Sequence, residues 1–258
     1  MRQTPGIPIP LKAASKRTPW VMRVWLGIKP HLLNFFLPVP QRKEHFTKYS
    51  KLNLWGEPYS RSGHGSNLRE TESVRHELPG LLLDLSVRKF LDIPCGDFYW
   101  MSEVRMPPGV FYAGGDIVWQ MIRQINRRYA TRRTSFWMLN ILLDRLPEAD
   151  LVLCRDCLVH FTLSEIAKAL NNIKRSRSTY LLTTHNTECQ ENVELPARGW
   201  RAVNLTRPPF NFPPPLRVIN EHSSEDWQRD KNLALWRLQQ IPDLSAALRL
   251  PAAGRGES

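Results

Sequence analysis

The chain has 258 residues, 42% of them apolar, which is enough for one well-buried domain with an extension and too little for two full domains. Lys and Arg total 36 against 24 Asp and Glu, a formal charge of +12 that favours acidic partners such as nucleic acid, anionic lipid or a phosphorylated substrate, or else a merely soluble basic surface. No uncharged run approaches the ~18 residues of a membrane span and no secretory signal stands out, so the expectation is a cytoplasmic protein without a transmembrane segment.

Residues 1–50 are rich in Pro and basic residues and show no clean period, so they read as an extension to a domain at 51–241. Within it, residues 19–39 carry Trp20, Trp25, Phe35 and Phe36 beside Arg23 and Lys29, a pattern that suits weak peripheral contact with a membrane or packing on the main domain. Asn67 with Glu70 resembles a capping box, and Leu68, Val74 and Leu78 give the helix that follows an apolar side, with Pro79-Gly80 as its expected end. Elements then alternate: strand 88–93, helix 97–104, strand 110–115, helix 118–129, strand 134–139, strand 150–155, helix 163–175 and strand 178–184. The 163–175 helix has a Thr162–Glu165 capping box and an apolar stripe of Leu163, Ile166, Leu170 and Ile173. Such alternation implies crossover units and a mainly parallel sheet with helices on both faces, an α/β fold. "GWRAVNL" at 199–205 reads as a strand that would pair with "RVINE" or "NLALWRL" in an antiparallel edge hairpin, and 242–258 reads as a disordered tail.

The first strand stops abruptly in "DIPCGDF". In open α/β sheets ligands bind beyond the carboxyl ends of the strands, and Gly96 removes a side chain where the backbone comes closest. A helix starting near Asp97 would point free N–H groups at the ligand. Asp116, 24 residues on from Asp92, ends the second strand where a ribose diol is gripped. A pyrophosphate would need several glycines, whereas Pro94, Cys95 and Asp97 deny close approach and Asp97 repels phosphate. A cationic nucleoside with a sulfonium and an ammonium group, such as S-adenosyl-L-methionine, fits these carboxylates better.

"FLDIPCGDF", "YAGGDIVWQMI" and "ADLVLCRDCLVHF", in that order, resemble class I S-adenosylmethionine-dependent methyltransferases, and more narrowly a bacterial group whose first motif reads D-x-P-C-G-D. The resemblance covers residues 50–240 and implies the Rossmann-like class I fold with S-adenosyl-L-methionine as cofactor. It also implies that Asp92, Gly96 and Asp97 line the methionine end and Asp116 the ribose, with Pro94, Cys95, Ile117 and Arg155 beside them. Asn140 stands where many members place an acid for the adenine amino group.

Asp156 and His160, at the end of the fourth strand, are the candidates for orienting or deprotonating a methyl acceptor; each could instead be a local cap. Cys154 and Cys157 form C-x-x-C, yet no second pair stands at zinc spacing and no metal is expected. His185 and Asn186 end the fifth strand and are open to a substrate or a loop role. Tyr99 and Trp100 suit a cofactor or the sheet. Trp55, Tyr59 and "SGHGS" suit a loop over the cofactor or a linker. "RPPF" at 207–210 resembles a base-methylase motif but falls two strands too late. The basic run "RQINRRYATRR" could track phosphates or be a solvated helix face. Methyl transfer to an oxygen or nitrogen of a small-molecule or saccharide acceptor is the leading expectation. A methyltransferase-like binding subunit without activity is the alternative, as is an RNA or protein methylase.

Overall fold

A computed structural model describes residues 40–54, 56–194 and 199–248; the 19–39 stretch and Trp55 lie outside them. In chain order the elements are α1 (Pro40–Leu52), α2 (Glu72–Asp84), β1 (Lys89–Asp92), β2 (Phe111–Asp116), α3 (Trp119–Tyr129), β3 (Thr134–Met138), β4 (Leu151–Cys154), α4 (Leu163–Arg175), β5 (Tyr180–Asn186), β6 (Arg217–Asn220), β7 (Lys231–Arg237) and α5 (Ser245–Leu248). The seven strands form one sheet in the order β3-β2-β1-β4-β5-β7-β6, and β7 alone runs antiparallel to its neighbours.

The central strands are buried on both faces, as a parallel sheet under two helical layers requires. On one side Phe90, Tyr112, Leu151 and Leu153 pack against Val74 and Leu78 of α2 and Ile122 and Ile125 of α3. On the other, Leu91, Val152, Cys154 and Trp236 meet Ile166, Ala167, Leu170 and Ile173 of α4. The two isoleucines and the leucine of that stripe are fully buried, each worth ~1.5–3 kcal/mol. The α4 capping box is complete: Thr162 Oγ1 accepts from the Glu165 N–H, and Glu165 Oε2 accepts from the Thr162 N–H at 3.0 Å. Chain order reverses between β1 and β4, so their carboxyl ends flank the sheet's topological switch point.

Four expectations need correction. No α-helix follows β1: Phe98 takes a left-handed φ of +61° and only a 3-10 turn forms at Met101–Glu103, so no helix N-terminus stands at the end of β1. The physical reason is that Phe98 and Trp100 are drawn into the core beside Tyr112 and Phe136. The α2 helix starts at Glu72 and runs through Pro79 to Asp84, because Leu81 and Leu82 are buried and hold its last turn. Residues 199–205 make no strand; β6 and β7 form the edge hairpin instead. Order also extends beyond 241, since Leu244 and Ala247 are fully buried, and α1 spans the expected boundary at 50.

Candidate active site

The chain leaves β1 through a cis Ile93–Pro94 peptide and returns at once to the sheet: the Cys95 N–H donates to the Gly115 carbonyl of β2 at 2.8 Å. Gly96 then sits at φ +55°, and a Cβ there would lie 2.2 Å from Ser62 Oγ, so both the backbone and the space demand glycine. Its N–H donates to Asp116 Oδ2 at 3.2 Å, while the Val118 N–H donates to Asp116 Oδ1 at 2.8 Å. Asp116 thereby ties the ends of β1 and β2 together. Burial pushes its carboxyl up to about 6, only partly offset by the N–H groups of Val118, Gly96 and Ile117.

Asp92, at the end of β1, is deeply buried and accepts a hydrogen bond from Tyr112 Oη at 2.6 Å. Burial raises it to about 7 against the lowering pull of Tyr112 and Arg155. The two carboxylates repel one another, which raises Asp92 further. The neighbouring Cys95 thiol is pushed well up by the same burial and by Asp116, so it is an inert thiol.

Asp97 faces outward and is saturated by a folded-over segment. It accepts from Ser60 Oγ, the Arg61 N–H at 2.6 Å, Ser62 Oγ and the Tyr99 N–H. Ser62 Oγ in turn accepts from the Asp97 N–H at 2.9 Å. Two residues on, His64 lies 3.3 Å from both Glu57 and Glu225. Gly65 lies against the end of β4: a Cβ there would be 2.8 Å from Asp156 Oδ2. Residues 60–66 therefore form a strap across the ends of β1 and β4.

The β4 end carries a group of four charges, of which only Arg155 and Asp156 stood out in the sequence. Arg155 forks onto Glu221, Nε to Oε1 at 3.2 Å and Nη2 to Oε2 at 2.5 Å, and its Nη1 reaches Asp156 Oδ2 at 3.1 Å. Lys231 Nζ bridges Asp156 Oδ2 and Glu221 Oε2, both at 3.1 Å. Arg155, Glu221 and Lys231 are almost wholly buried, whereas the Asp156 side chain keeps 24% of its surface exposed. Arg155 also stacks over Trp100, 5.4 Å from the ring centroid. Burial opposes the Arg155 charge, but Glu221 and Asp156 outweigh it and hold the guanidinium above its ordinary value. Burial would likewise raise Asp156; Lys231 and Arg155 overcome it and hold the carboxyl down to about 2. Asp156 is thus a fixed anion and a poor base. Its φ of +50° is anchored by its N–H donating to Thr184 Oγ1 at 2.7 Å.

His160 ends a 3-10 turn, Leu158–His160, and its Nδ1 lies 2.7 Å from the Gly199 carbonyl. A carbonyl only accepts, so Nδ1 carries the proton and Nε2 is the basic nitrogen. Asn140 is used locally: its Oδ1 accepts from the Leu142 N–H at 2.9 Å and its own N–H donates to Asp144. His185 and Asn186 are absorbed into the scaffold. His185 Nδ1 accepts from the Leu205 N–H, and burial lowers the ring to about 4, so it stays neutral. Asn186 exchanges bonds with Val203. Those contacts are what replaces a strand at 201–205. Cys154 and Cys157 are buried and form no disulfide, and among the described residues no cluster of three metal-ligating side chains forms.

Glu221 and Lys231 escaped sequence reading although Glu221 follows the edge strand β6 and Lys231 opens its neighbour β7, where a charge beside an apolar run is a usable signal. Tyr112 and Thr184 escaped because polar groups inside strands read as ordinary core.

No family model and no curated protein sequence matches the chain. Solved structures align with it. Magnesium protoporphyrin IX methyltransferase (ChlM) from Synechocystis PCC 6803 with bound SAM aligns with a TM-score of 0.51 at 12% identity, over 78% of this chain and 99% of that one. Human N-acetylserotonin methyltransferase in complex with SAM gives 0.49 at 12% identity over 76% of this chain, which spans only 56% of the human protein. N-methyltransferase NodS from Bradyrhizobium japonicum WM9 gives 0.45 at 18% identity over 67% of this chain and 98% of that one. The chain has the Rossmann-like α/β fold of methyltransferases, a seven-stranded sheet with helices on both faces.

Proposed function

We propose that the crevice over β1, β2 and β4 holds S-adenosyl-L-methionine and that the chain moves its methyl group to an oxygen or nitrogen of a small-molecule or saccharide acceptor. The observation that carries this reading is the pair of buried carboxylates, Asp92 and Asp116, at adjoining strand ends with no phosphate cradle between them. Carboxylates only accept hydrogen bonds, so they suit a ribose diol and an ammonium group and repel a diphosphate. Asp116 accepts from three backbone N–H groups, those of Gly96, Val118 and Ile117, which leaves one of a carboxylate's roughly four acceptor sites for a ribose hydroxyl.

When bound, the cofactor supplies an electrophilic methyl on a cationic sulfur. The protein's share is placement, which can contribute roughly 7–11 kcal/mol of barrier lowering. Asp116 holds the diol, and Asp92, ionised by a cationic neighbour, holds the ammonium end. Asp156, locked as an anion by Lys231 and Arg155, orients a hydroxyl or amine of the acceptor through its exposed edge. His160 Nε2 takes the acceptor's proton, a role worth ~10²–10⁴-fold for a hydroxyl.

Calorimetry with S-adenosylhomocysteine tests the reading. One site per chain is expected, weakened at least tenfold by Asp116→Ala. Affinity should fall as the pH drops through about 6, because a proton then competes for the carboxylate, and Asp116→Asn should flatten that dependence. Absence of binding up to millimolar ligand removes the proposal. Methyl release over a panel of hydroxyl and amine acceptors separates an enzyme from an inactive binding subunit.

A further inference from the structure

Beside the crevice, α1 and α3 enclose a groove of about 480 Å³, within the size range of small-molecule sites. The two helices are tied by Ser50 Oγ, 3.8 Å from Met121 Sδ, and the buried side chains of Met121 and Ile125 make its floor. Lys51 of α1, Arg128 of α3 and Arg61 of the strap rim it. Among the described residues no carboxylate pairs with any of these three cations. The one acid in the lining, Asp97, is already occupied by Ser60, Ser62 and two backbone N–H groups. Three tyrosines complete the walls: Tyr99 and Tyr129 are half-buried and Tyr59 is 73% exposed. Arg128 lies 5.0 Å from the Tyr129 ring, a guanidinium set beside an aromatic face.

Cations with no carboxylate partner among the described residues, set around an apolar floor, form a site for an anion, and guanidinium groups match phosphate by their paired donors. The exposed Tyr59 ring favours a flat ring in the same ligand. The groove adjoins the crevice through Asp97 and Val118 but excludes Asp92, Asp116 and Asp156 from its lining. We propose that the α1–α3 groove binds a phosphate ester of a ring-bearing small molecule, of the nucleotide class. Such a site stands whether or not the crevice carries a cofactor.

The experiment titrates uridine 5′-diphosphate and, separately, inorganic phosphate into the full chain, with and without saturating S-adenosylhomocysteine. Uridine diphosphate should bind in both conditions and more tightly than phosphate. Arg61→Ala/Arg128→Ala should weaken it at least tenfold, and Tyr59→Ala should weaken the nucleotide but not phosphate. Both arginine side chains are exposed, so an unchanged melting temperature certifies the fold of the double variant. No binding at millimolar nucleotide, equal binding by the double variant, or displacement by S-adenosylhomocysteine overturns the proposal. So does much tighter, steeply salt-dependent binding of a single-stranded RNA 12-mer through the same arginines, which would make the surface a strand-binding one.

Discussion

Replacing Lys231 by Met tests the group of four charges directly. The substitution keeps most of the side-chain volume and removes one of two cations, leaving Arg155 to face Asp156 and Glu221. Removing one partner of a buried ion pair costs ~3–5 kcal/mol; the lower end, about 3 kcal/mol, applies because Asp156 is partly solvated. For a domain of this size that corresponds to a melting temperature lower by about 6–12 °C. The pH dependence fixes the cause. In the parent, burial would raise Asp156, but Lys231 and Arg155 hold it at about 2 against an ordinary 3.8. A depressed carboxyl contributes stability above its unfolded value, here about 2 kcal/mol, and loses it as the pH falls toward the folded value. Without Lys231 the Asp156 carboxylate accepts a proton more readily, so the deficit of the variant should narrow between pH 7 and pH 4. Lys231→Met/Glu221→Gln restores the charge balance and should recover at least half of the loss. Thermal melts of the three proteins across that pH range decide the matter. A single variant melting within about 2 °C of the parent at pH 7.5 would refute the reasoning. So would a deficit that widens on acidification, or a double variant no better than the single.

Asp92→Asn should stabilise the protein while weakening S-adenosylhomocysteine. Burial raises the Asp92 carboxyl to about 7, so ionising it in the folded state costs stability that accumulates from about pH 4 to pH 7. The variant's advantage in melting temperature should grow over that interval and level off above it, and a constant advantage would point elsewhere. Thr162→Ala opens the α4 capping box at a cost of ~1 kcal/mol, about 2–4 °C in the melt, with no change in calorimetric affinity for S-adenosylhomocysteine.

Much of the fold is legible in local sequence because its elements are built from local rules. Helix α4 declares itself through Thr162, Glu165 and an unbroken stripe, and β4 through four consecutive buried residues. The errors arise where tertiary contacts override a local pattern. Phe98 and Trp100 turn into the core and forbid the helix that 97–104 otherwise suggests. Asn186 and His185 capture the backbone of 201–205 and spoil an apolar strand-like run. At the site, Asp92, Gly96 and Asp116 lie within one motif-sized reach and are readable from spacing. Asp156 is readable as a position but not as a role. Its character as a pinned anion depends on Glu221 and Lys231, which arrive from 65 or more residues downstream by way of the edge hairpin.

That hairpin gives the chain a built-in order of completion. β7, last of the strands in sequence, slots between β5 and β6 and only then delivers Lys231 to Asp156. A nascent chain emerging from its N-terminus can lay down β1 through β5 with Arg155 and Asp156 still uncompensated. The pocket's electrostatics therefore mature only when the closing strand docks, so a truncated or misthreaded product is unable to masquerade as a finished one.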